Sequence, residues 1–595
     1  MAAPQEKIAR IEFLLSQGRF EQARAAAELL LRREPSDMQV LSLMATALLR
    51  LGRPVQAVHY AARAAEAHPA VPELRFNVAQ MLTAAGRPEE AIAAAHAGLA
   101  LAPDHPLGLR QLAEAQLRAG HLGGALETCR LGRERHPADP FLAGLHATAQ
   151  LRLGDATGAV SSLRHAVRLG APNAEALLAF AANCDPCCTP EEVLEAHRLA
   201  GEQVARTVPR GLPPVRTHDD PDRRLRVGFL SPEFRAHAIA HFMAPLLAHL
   251  DRTEFHVTCY HVSMHVDEVT AHLRSLADAW RHETAATPKS LHERIVADRI
   301  DVIIDLTGYT EESLTRVCAA RPAPLTATYL GYPATSGCSG IDVRFVDART
   351  DPPRGSGEYD ADALSTERLV RIEGCFVCYA PLREPPPVAE LPARTGRRIT
   401  FATFNAFHKI NPPLIALWAR VLDAVPGSRL MLKSLAYRES EVREALTRRF
   451  EQAGITRDRI EVVPPTADMR DHLRMYDRVD IALDTFPYCG TTTTCEALLM
   501  GVPVVSLVGR IHAARVGLSL LAAAGVEEWA VRDEASYVRR AAQLAADIEK
   551  LAEIRKTLRA RMLASSLCDG PVFGRRFGAA LREAWRQFCR AATRP

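Results

Sequence analysis

Excess charge of either sign and long apolar runs are both missing from this sequence. Its 73 Lys and Arg residues nearly balance 70 Asp and Glu residues, and the net charge of +3 gives no reason to expect a nucleic-acid partner. No apolar run reaches the length that spans a bilayer, and residues 1–7 lack the apolar core of a signal peptide. We therefore expect a soluble protein with no membrane partner.

Cysteine shows no pattern that indicates a disulfide framework. The 13 cysteines are odd in number and scattered through the chain, which is typical of a cytoplasmic protein. Cys184 and Cys187 have CxxC spacing, as do Cys375 and Cys378, which sit inside an apolar pattern typical of a strand. Because zinc needs four ligands and only part of a set is visible, we expect no metal at either pair.

Kinase and dehydrogenase fingerprints are missing from the segment around which the chain is organised, Asp484 to Val505. It contains neither a Walker A loop nor a GxGxxG motif. A short buried strand is predicted over Val479 to Asp484, and the loop after it holds Pro487 and Gly490. The four threonines Thr491 to Thr494 have the right chemistry to cap a following helix.

A strand, a Gly/Thr loop and a helix N-terminus together form an anion site. The helix is predicted to run to about Met500 and to stop at Gly501. Free N–H groups and the positive end of the helix dipole point at one spot, and the hydroxyls add donors. Glu496, one turn into the helix, is placed to accept hydrogen bonds from a ribose while the loop holds a diphosphate. The alternative is an ordinary βα junction that binds nothing.

Three residue types recur every 34 residues in the N-terminal third. They are Gly18, Gly52, Gly86, Gly120 and Gly154; Ala23, Ala57, Ala91, Ala125 and Ala159; and Pro35, Pro69, Pro103 and Pro137. This period matches tetratricopeptide repeats, which place Gly at the turn and small Ala where two helices cross. A last, degenerate helix pair is predicted over residues 175–208. The concave face of such an array favours protein binding, and a spacer or dimerisation arm is the alternative.

Two segments of alternating strands and helices follow, and they predict an α/β fold with parallel sheets. Strands are predicted at 225–231, 255–261, 301–306 and 325–329, and again at 399–404, 429–433, 459–463, 479–484 and 503–507. Pro-rich breaks set the boundaries. We predict a repeat array over 1–206, a linker over 207–224, an N-terminal lobe over 225–380, a linker over 381–397, and a nucleotide-sugar-binding C-terminal lobe with a C-terminal helix over 398–595.

The candidate site residues lie beyond the carboxyl ends of strands, where such sheets bind ligands. His237 follows the first strand of the N-terminal lobe. In the C-terminal lobe, Lys409 follows the first strand, His472 the third, and Thr491 to Glu496 the fourth. Taken alone, each of these residues is typical of an ordinary loop. Because all of them follow strand ends, together they favour a single site.

Seven segments carry a resemblance to a known family: residues 226–237, 321–324, 331–337, 404–409, 472, 484–493 and 512–516. With them the chain resembles the O-linked N-acetylglucosamine transferase/SPINDLY family, which are inverting nucleotide-sugar glycosyltransferases of the GT-B type. The resemblance covers the repeats, both lobes and their order, and it is closest to the bacterial members. It implies a tetratricopeptide superhelix followed by two Rossmann-like lobes.

The resemblance also implies a role for each candidate near the transferred sugar. It places His237 close to the acceptor, as general base or as positioning group. It implies that Lys409 neutralises the leaving diphosphate, and that Thr492 and Thr493 bind the same diphosphate. We count Thr491, the residue before them, among the donor-binding positions.

Three further positions are implied to contact the nucleoside. Glu496 stands where the family has an acidic residue on the ribose, and His472 matches a histidine beside the nucleobase. Ala467 would contribute backbone contacts to the base. Ala406 and Met469 depart from residues common in the family, which leaves the donor sugar open.

The resemblance implies transfer of a sugar, with UDP-GlcNAc as the expected donor, to Ser and Thr hydroxyls of proteins. No metal cofactor is expected, and we interpret the DxD-like pair Asp360 and Asp362 as solvated surface. The expected partners are a nucleotide sugar, an acceptor protein held by the repeat groove and the cleft, and a second copy of the chain bound through the repeats. The alternatives are a GDP-fucose- or UDP-glucose-dependent enzyme, and a non-catalytic scaffold with vestigial lobes.

Overall fold

The structure is a computed structural model that describes residues 4–213, 215, 220–284, 286–310, 313–396, 398–466 and 468–592. Two compact units can be separated within it. One holds helices of the repeat array up to about residue 174, and the second holds nearly all of the chain from residue 175 onward. The second unit contains every candidate site residue that the structure describes.

Antiparallel pairs of helices build the repeat array. Its helices are α1 Pro4–Ser16, α2 Phe20–Leu31, α3 Met38–Arg50, α4 Pro54–Ala67, α5 Pro72–Ala84, α6 Pro88–Leu99, α7 Pro106–Ala119, α8 Leu122–Arg135, α9 Pro140–Arg152, α10 Ala156–Arg168, α11 Ala174–Cys184 and α12 Pro190–Arg206. The five periodic glycines, from Gly18 to Gly154, all have φ between 70° and 84°. Only glycine adopts this left-handed conformation at little cost, so the 34-residue period marks the turns as predicted.

The first α/β lobe is a seven-stranded parallel sheet. Its strands are β1 Leu225–Ser231, β2 Phe255–His261, β3 Ala279–His282, β4 Val302–Asp305, β5 Leu325–Thr328, β6 Val343–Asp347 and β7 Arg368–Ile372, in the order β3-β2-β1-β4-β5-β6-β7. Its helices are α13 Ala240–His249, α14 Glu268–Ser275, α15 Pro288–Ala297 and α16 Thr315–Ala319. The strand order reverses between β1 and β4, which makes their carboxyl ends a topological switch point.

The second α/β lobe repeats this plan with six parallel strands. They are β8 Thr400–Thr403, β9 Arg429–Lys433, β10 Ile460–Val463, β11 Ile481–Leu483, β12 Val504–Leu507 and β13 Ala530–Val531, in the order β10-β9-β8-β11-β12-β13. The helices from here to the end are α17 Pro392–Gly396, α18 Pro412–Ala424, α19 Ser440–Gln452, α20 Met469–Arg474, α21 Thr492–Leu499, α22 Val516–Ala523, α23 Glu534–Ala546, α24 Ile548–Leu563 and α25 Gly570–Ala592. The switch point falls between β8 and β11.

Four strands lie outside the predicted set, namely β3, β6, β7 and β13. Three of them are short or at a sheet edge, where one face meets water and no continuous apolar run is needed. The sequence pattern also predicts that Cys375 and Cys378 lie in a strand. Both follow β7 in an irregular buried segment, so the strand prediction there is wrong. An apolar run between a strand and a linker looks like a strand because burial alone does not specify periodicity.

Buried polar bonds join the two lobes. Ser519 Oγ donates to Asp347 Oδ2 at 2.5 Å, and His512 Nδ1 lies 2.5 Å from Asp351 Oδ2. The last helix, α25, packs against α13 and β7 of the first sheet. These contacts fix how the two switch points face each other. Within the described residues, no helix combines the length and apolarity that crossing a membrane requires.

Candidate functional site

Asp484, the first residue after β11, holds together the loop that leads into α21. Its Oδ1 accepts hydrogen bonds from the backbone N–H of Gly490 at 2.7 Å and of Thr485 at 2.9 Å. Its Oδ2 accepts one from Ser506 Oγ of β12 at 2.7 Å. Burial raises the pKa of Asp484, and the nearby Lys409 ammonium opposes that shift. One buried carboxylate therefore fixes both ends of the loop.

Helix α21 begins at Thr492, at the switch point of the second lobe, and Met500 and Gly501 end it as predicted. The prediction that a threonine hydroxyl caps the helix is wrong. Thr491 is the N-cap residue but makes no side-chain capping bond. Thr493 Oγ1 instead donates to Asn405 Oδ1 at 3.1 Å, because Asn405 reaches across from β8. The first N–H groups of α21 therefore have no side-chain acceptor from the N-cap residue.

Lys409 places its ammonium next to this helix start. Its Nζ donates to the carbonyl oxygen of Cys489 at 2.9 Å and lies 3.8 Å from the centre of the Tyr488 ring. Burial lowers the pKa of Lys409, and Asp484 opposes the shift. Cys489 stands two residues before the N-cap Thr491, so the cation and the positive end of the helix share one edge of the sheet.

The two predicted nucleoside residues, His472 and Glu496, are also brought together. His472 Nε2 lies 3.0 Å from Glu496 Oε2, and its Nδ1 lies 2.6 Å from Nζ of Lys433. Lys433 is the last residue of β9, and sequence reasoning missed it because a lysine ending a strand looks solvated. The strand-end rule that selected Lys409 applies equally to it and was the available signal.

Two histidines of the first α/β lobe, His237 and His241, follow β1 at the switch point between β1 and β4. Burial lowers the pKa of His237, and its Nδ1 accepts a hydrogen bond from the Ile239 backbone N–H at 3.4 Å. His241 lies 3.0 Å from the Ala380 carbonyl through its Nδ1 and stacks on Tyr379. Burial also lowers the pKa of His241, and Glu496 of the second lobe opposes that shift. His241 is therefore close to the Glu496 carboxylate of the second lobe.

Helix α11 borders the loop between β11 and α21 from a third direction. The Phe180 ring lies 5.1 Å from that of His408 and 6.5 Å from that of Tyr488, both at edge-on angles. Burial lowers the pKa of His408 to about 3, so this ring is neutral beside Lys409. The apolar contact shields the Lys409 ammonium from water on one side.

Two other sequence expectations concern positions away from these contacts. Ala467 lies outside the described residues, and Met469, which begins α20, is exposed. Asp362 pairs with Arg371 at 2.8 Å and Asp360 with Arg354 at 3.1 Å. Among the residues that the structure describes, no group of three or more His, Cys, Asp or Glu side chains is arranged to hold a metal ion.

The two doubly wound lobes, each with its own switch point, have the GT-B architecture of glycosyltransferases, and a tetratricopeptide array precedes them in the chain. The model of glycosyl transferase family 41 matches residues 212–367 and 390–576. Tetratricopeptide repeat models match residues 13–72, 42–106 and 82–149. The chain belongs to glycosyl transferase family 41.

The sequence is also similar to named proteins in plants and animals. A tomato (Solanum lycopersicum) protein named "Probable UDP-N-acetylglucosamine--peptide N-acetylglucosaminyltransferase SPINDLY" is 37% identical over 408 residues, 67% of this chain and 43% of that protein. A Caenorhabditis elegans UDP-N-acetylglucosamine--peptide N-acetylglucosaminyltransferase is 24% identical over 480 residues, 62% of this chain and 41% of that protein. The chain thus spans less than half the length of these curated relatives.

A solved structure matches over most of both chains. A mutant of the Thermobaculum terrenum O-GlcNAc transferase is 30% identical in sequence and superposes with a TM-score of 0.76. The match covers 88% of this chain and 99% of that one. The order of repeat array and two lobes is therefore shared with a bacterial protein of that name.

Proposed function

We propose that this chain is an inverting protein glycosyltransferase that moves N-acetylglucosamine from UDP-GlcNAc to Ser and Thr hydroxyls, in the cytoplasm and without a metal. The observation that carries the proposal is the Lys409 ammonium, held 2.9 Å from the Cys489 carbonyl beside the start of α21. A resident cation and a helix N-terminus at one edge match a departing diphosphate in charge and geometry. The family and the names of its relatives support the same reaction class.

In the proposed reaction the acceptor hydroxyl oxygen attacks the anomeric carbon from the face opposite the diphosphate. The bond from that carbon to the diphosphate oxygen breaks, and the hydroxyl proton passes to solvent water, so the products are the glycosylated side chain, UDP and one proton. Negative charge develops on the diphosphate, where Lys409 and the first N–H groups of α21 stabilise it. This supply of positive charge by the chain itself is the support for metal independence.

We propose that His237 positions the acceptor and is not its base. Its Nδ1 accepts the Ile239 N–H, so a neutral ring carries its proton on Nε2 and donates from there. His237→Ala is expected to lower kcat about 100-fold. His237→Gln, whose amide N–H replaces the Nε2 donor, is expected to recover most of that loss in a transfer assay with a peptide acceptor. Equal loss in both variants would instead assign the base role to His237.

Nucleotide selectivity tests the function directly. UDP at a hundredfold excess over its Kd is expected to stabilise the folded lobe by about 2.7 kcal/mol, which raises the thermal midpoint by about 5 °C. Thermal-shift measurements with UDP, GDP and their sugars compare the candidates in one experiment. A selective shift with GDP would favour a GDP-fucose donor, and no shift with any nucleotide would leave only the scaffold function.

The repeat array is proposed to bind the acceptor protein. Matching repeat models and helix pairs from α1 onward support a peptide- or protein-binding groove. Helix α11, the first helix of the last pair, contacts the donor loop through Phe180. Dimerisation through the repeats stays a prediction.

A further inference from the structure

Three polar side chains from three different elements form one chain of contacts in the second lobe. Lys433 ends β9, His472 lies in α20, and Glu496 lies in α21. Lys433 Nζ is 2.6 Å from His472 Nδ1, and His472 Nε2 is 3.0 Å from Glu496 Oε2. The imidazole therefore stands between an ammonium and a carboxylate, with one nitrogen committed to each.

The hydrogen-bond donors and acceptors of these three side chains determine which imidazole nitrogen carries the proton. An ammonium donates three hydrogen bonds and accepts none, so His472 Nδ1 accepts from Lys433 and carries no proton. The ring proton then lies on Nε2, where it donates to the Glu496 carboxylate. Lys433 is then a cation, His472 is neutral and Glu496 is an anion. The three side chains together carry no net charge.

Because these side chains are buried, breaking their contacts costs free energy of folding. Lys433 is 6% exposed and Glu496 is 4% exposed, and an unpaired charge at either position would be strongly destabilising. Burial lowers the pKa of Lys433, and Glu496 opposes the shift by favouring the ammonium. The Phe404 and Tyr476 rings lie against His472, with ring centres 5.8 Å and 6.0 Å away.

We propose that Lys433 is a positioning residue of the nucleoside subsite, which holds His472 neutral with its proton on Nε2. One oxygen of Glu496 then binds that proton, and the other stays available for a ribose hydroxyl. The neutral ring presents a fixed surface to the base. The proposal rests on the proposed function, because it assigns the nucleoside end of the nucleotide sugar to this pocket.

Loss of the Lys433 ammonium removes the hydrogen bond that orients the ring. In Lys433→Met, His472 Nδ1 has no donor, so the imidazole is free to turn its Nε2–H away from Glu496. The buried Glu496 oxygen that accepted from His472 then lacks this partner, and the carboxylate is no longer held toward the ribose.

The test is the Kd of UDP, measured by calorimetry for wild type and for Lys433→Met. The Kd of the variant is expected to be about tenfold higher than that of wild type.

Two further variants complete the experiment. Lys433→Arg restores a cationic donor and is expected to bring the Kd of UDP back to within about twofold of wild type. Lys556→Met removes an exposed lysine of α24 and is expected to leave the Kd unchanged. A Kd of Lys433→Met equal to that of wild type, or no recovery in Lys433→Arg, would overturn the role of Lys433. Failure of wild type to bind UDP at all would overturn the proposed function instead.

Discussion

Lys409→Met is expected to reduce sugar transfer by about 100- to 1,000-fold while the chain stays folded. Methionine keeps the volume that packs on the Tyr488 ring but removes the charge that lies 3.8 Å from its centre. The diphosphate gains negative charge as the sugar departs, and the ammonium is the charged side chain that the structure places beside the start of α21. Its loss therefore raises the barrier more than it weakens ground-state binding.

Transfer assays and UDP calorimetry separate these two effects. The kcat of Lys409→Met is expected to fall much further than its affinity for UDP, because charge development is greatest in the transition state. Lys556→Met serves as the matched control, since it makes the same replacement on the exposed face of α24. Wild-type kcat in Lys409→Met, with the thermal midpoint unchanged, would contradict the assignment of Lys409 to the leaving group.

The repeats and the long buried strands were predictable because each has a periodic local signal. A glycine at every turn requires positive φ, and the seven-residue strands β1 and β2 were predicted with their observed bounds. Three of the four missed strands, β3, β7 and β13, lack that signal because they lie at sheet edges or are very short. These segments form strands because they pair with strands that are distant in the sequence, and no local sequence pattern indicates that pairing.

The loop before α21 was easier to place from the sequence than the contacts among Lys433, His472 and Glu496. A Gly/Thr loop before a helix has local chemistry, so Lys409 and the helix start at Thr492 could be placed from strand order alone. The contacts that fix the nucleoside residues are made between elements far apart in the chain. Lys433 and His472 are 39 residues apart, and their approach depends on β9 and α20 meeting at one sheet edge.

Contacts between segments far apart in the chain also join the two lobes. Asp347 ends β6 and Asp351 follows it, and the two carboxylates bind Ser519 and His512 of the second lobe through buried polar bonds. No local sequence pattern predicts these pairs, because their members are 172 and 161 positions apart.

Asp484→Ala is expected to destabilise the second lobe by about 3 to 5 kcal/mol and to weaken UDP binding at least tenfold. The carboxylate accepts bonds from the N–H groups of Thr485 and Gly490 and from Ser506 Oγ. Alanine leaves these three buried donors unpaired, and the loop before α21 loses its tie to β12. The thermal transition that UDP shifts reports the stability of this lobe.

Asp484→Asn separates the shape of the loop from its charge. The asparagine Oδ1 keeps both backbone N–H bonds, and its amide donates to Ser506 Oγ, so the thermal midpoint is expected to fall much less than in the alanine variant. Asp533→Ala, which removes the exposed N-cap of α23, is the matched control and is expected to cost about 1 kcal/mol. Equal losses in Asp484→Ala and Asp533→Ala would show that the loop does not depend on its buried carboxylate. A loop that collapses only in Asp484→Ala, together with its UDP binding, would show that the anion site at α21 is built by the carboxylate beneath it.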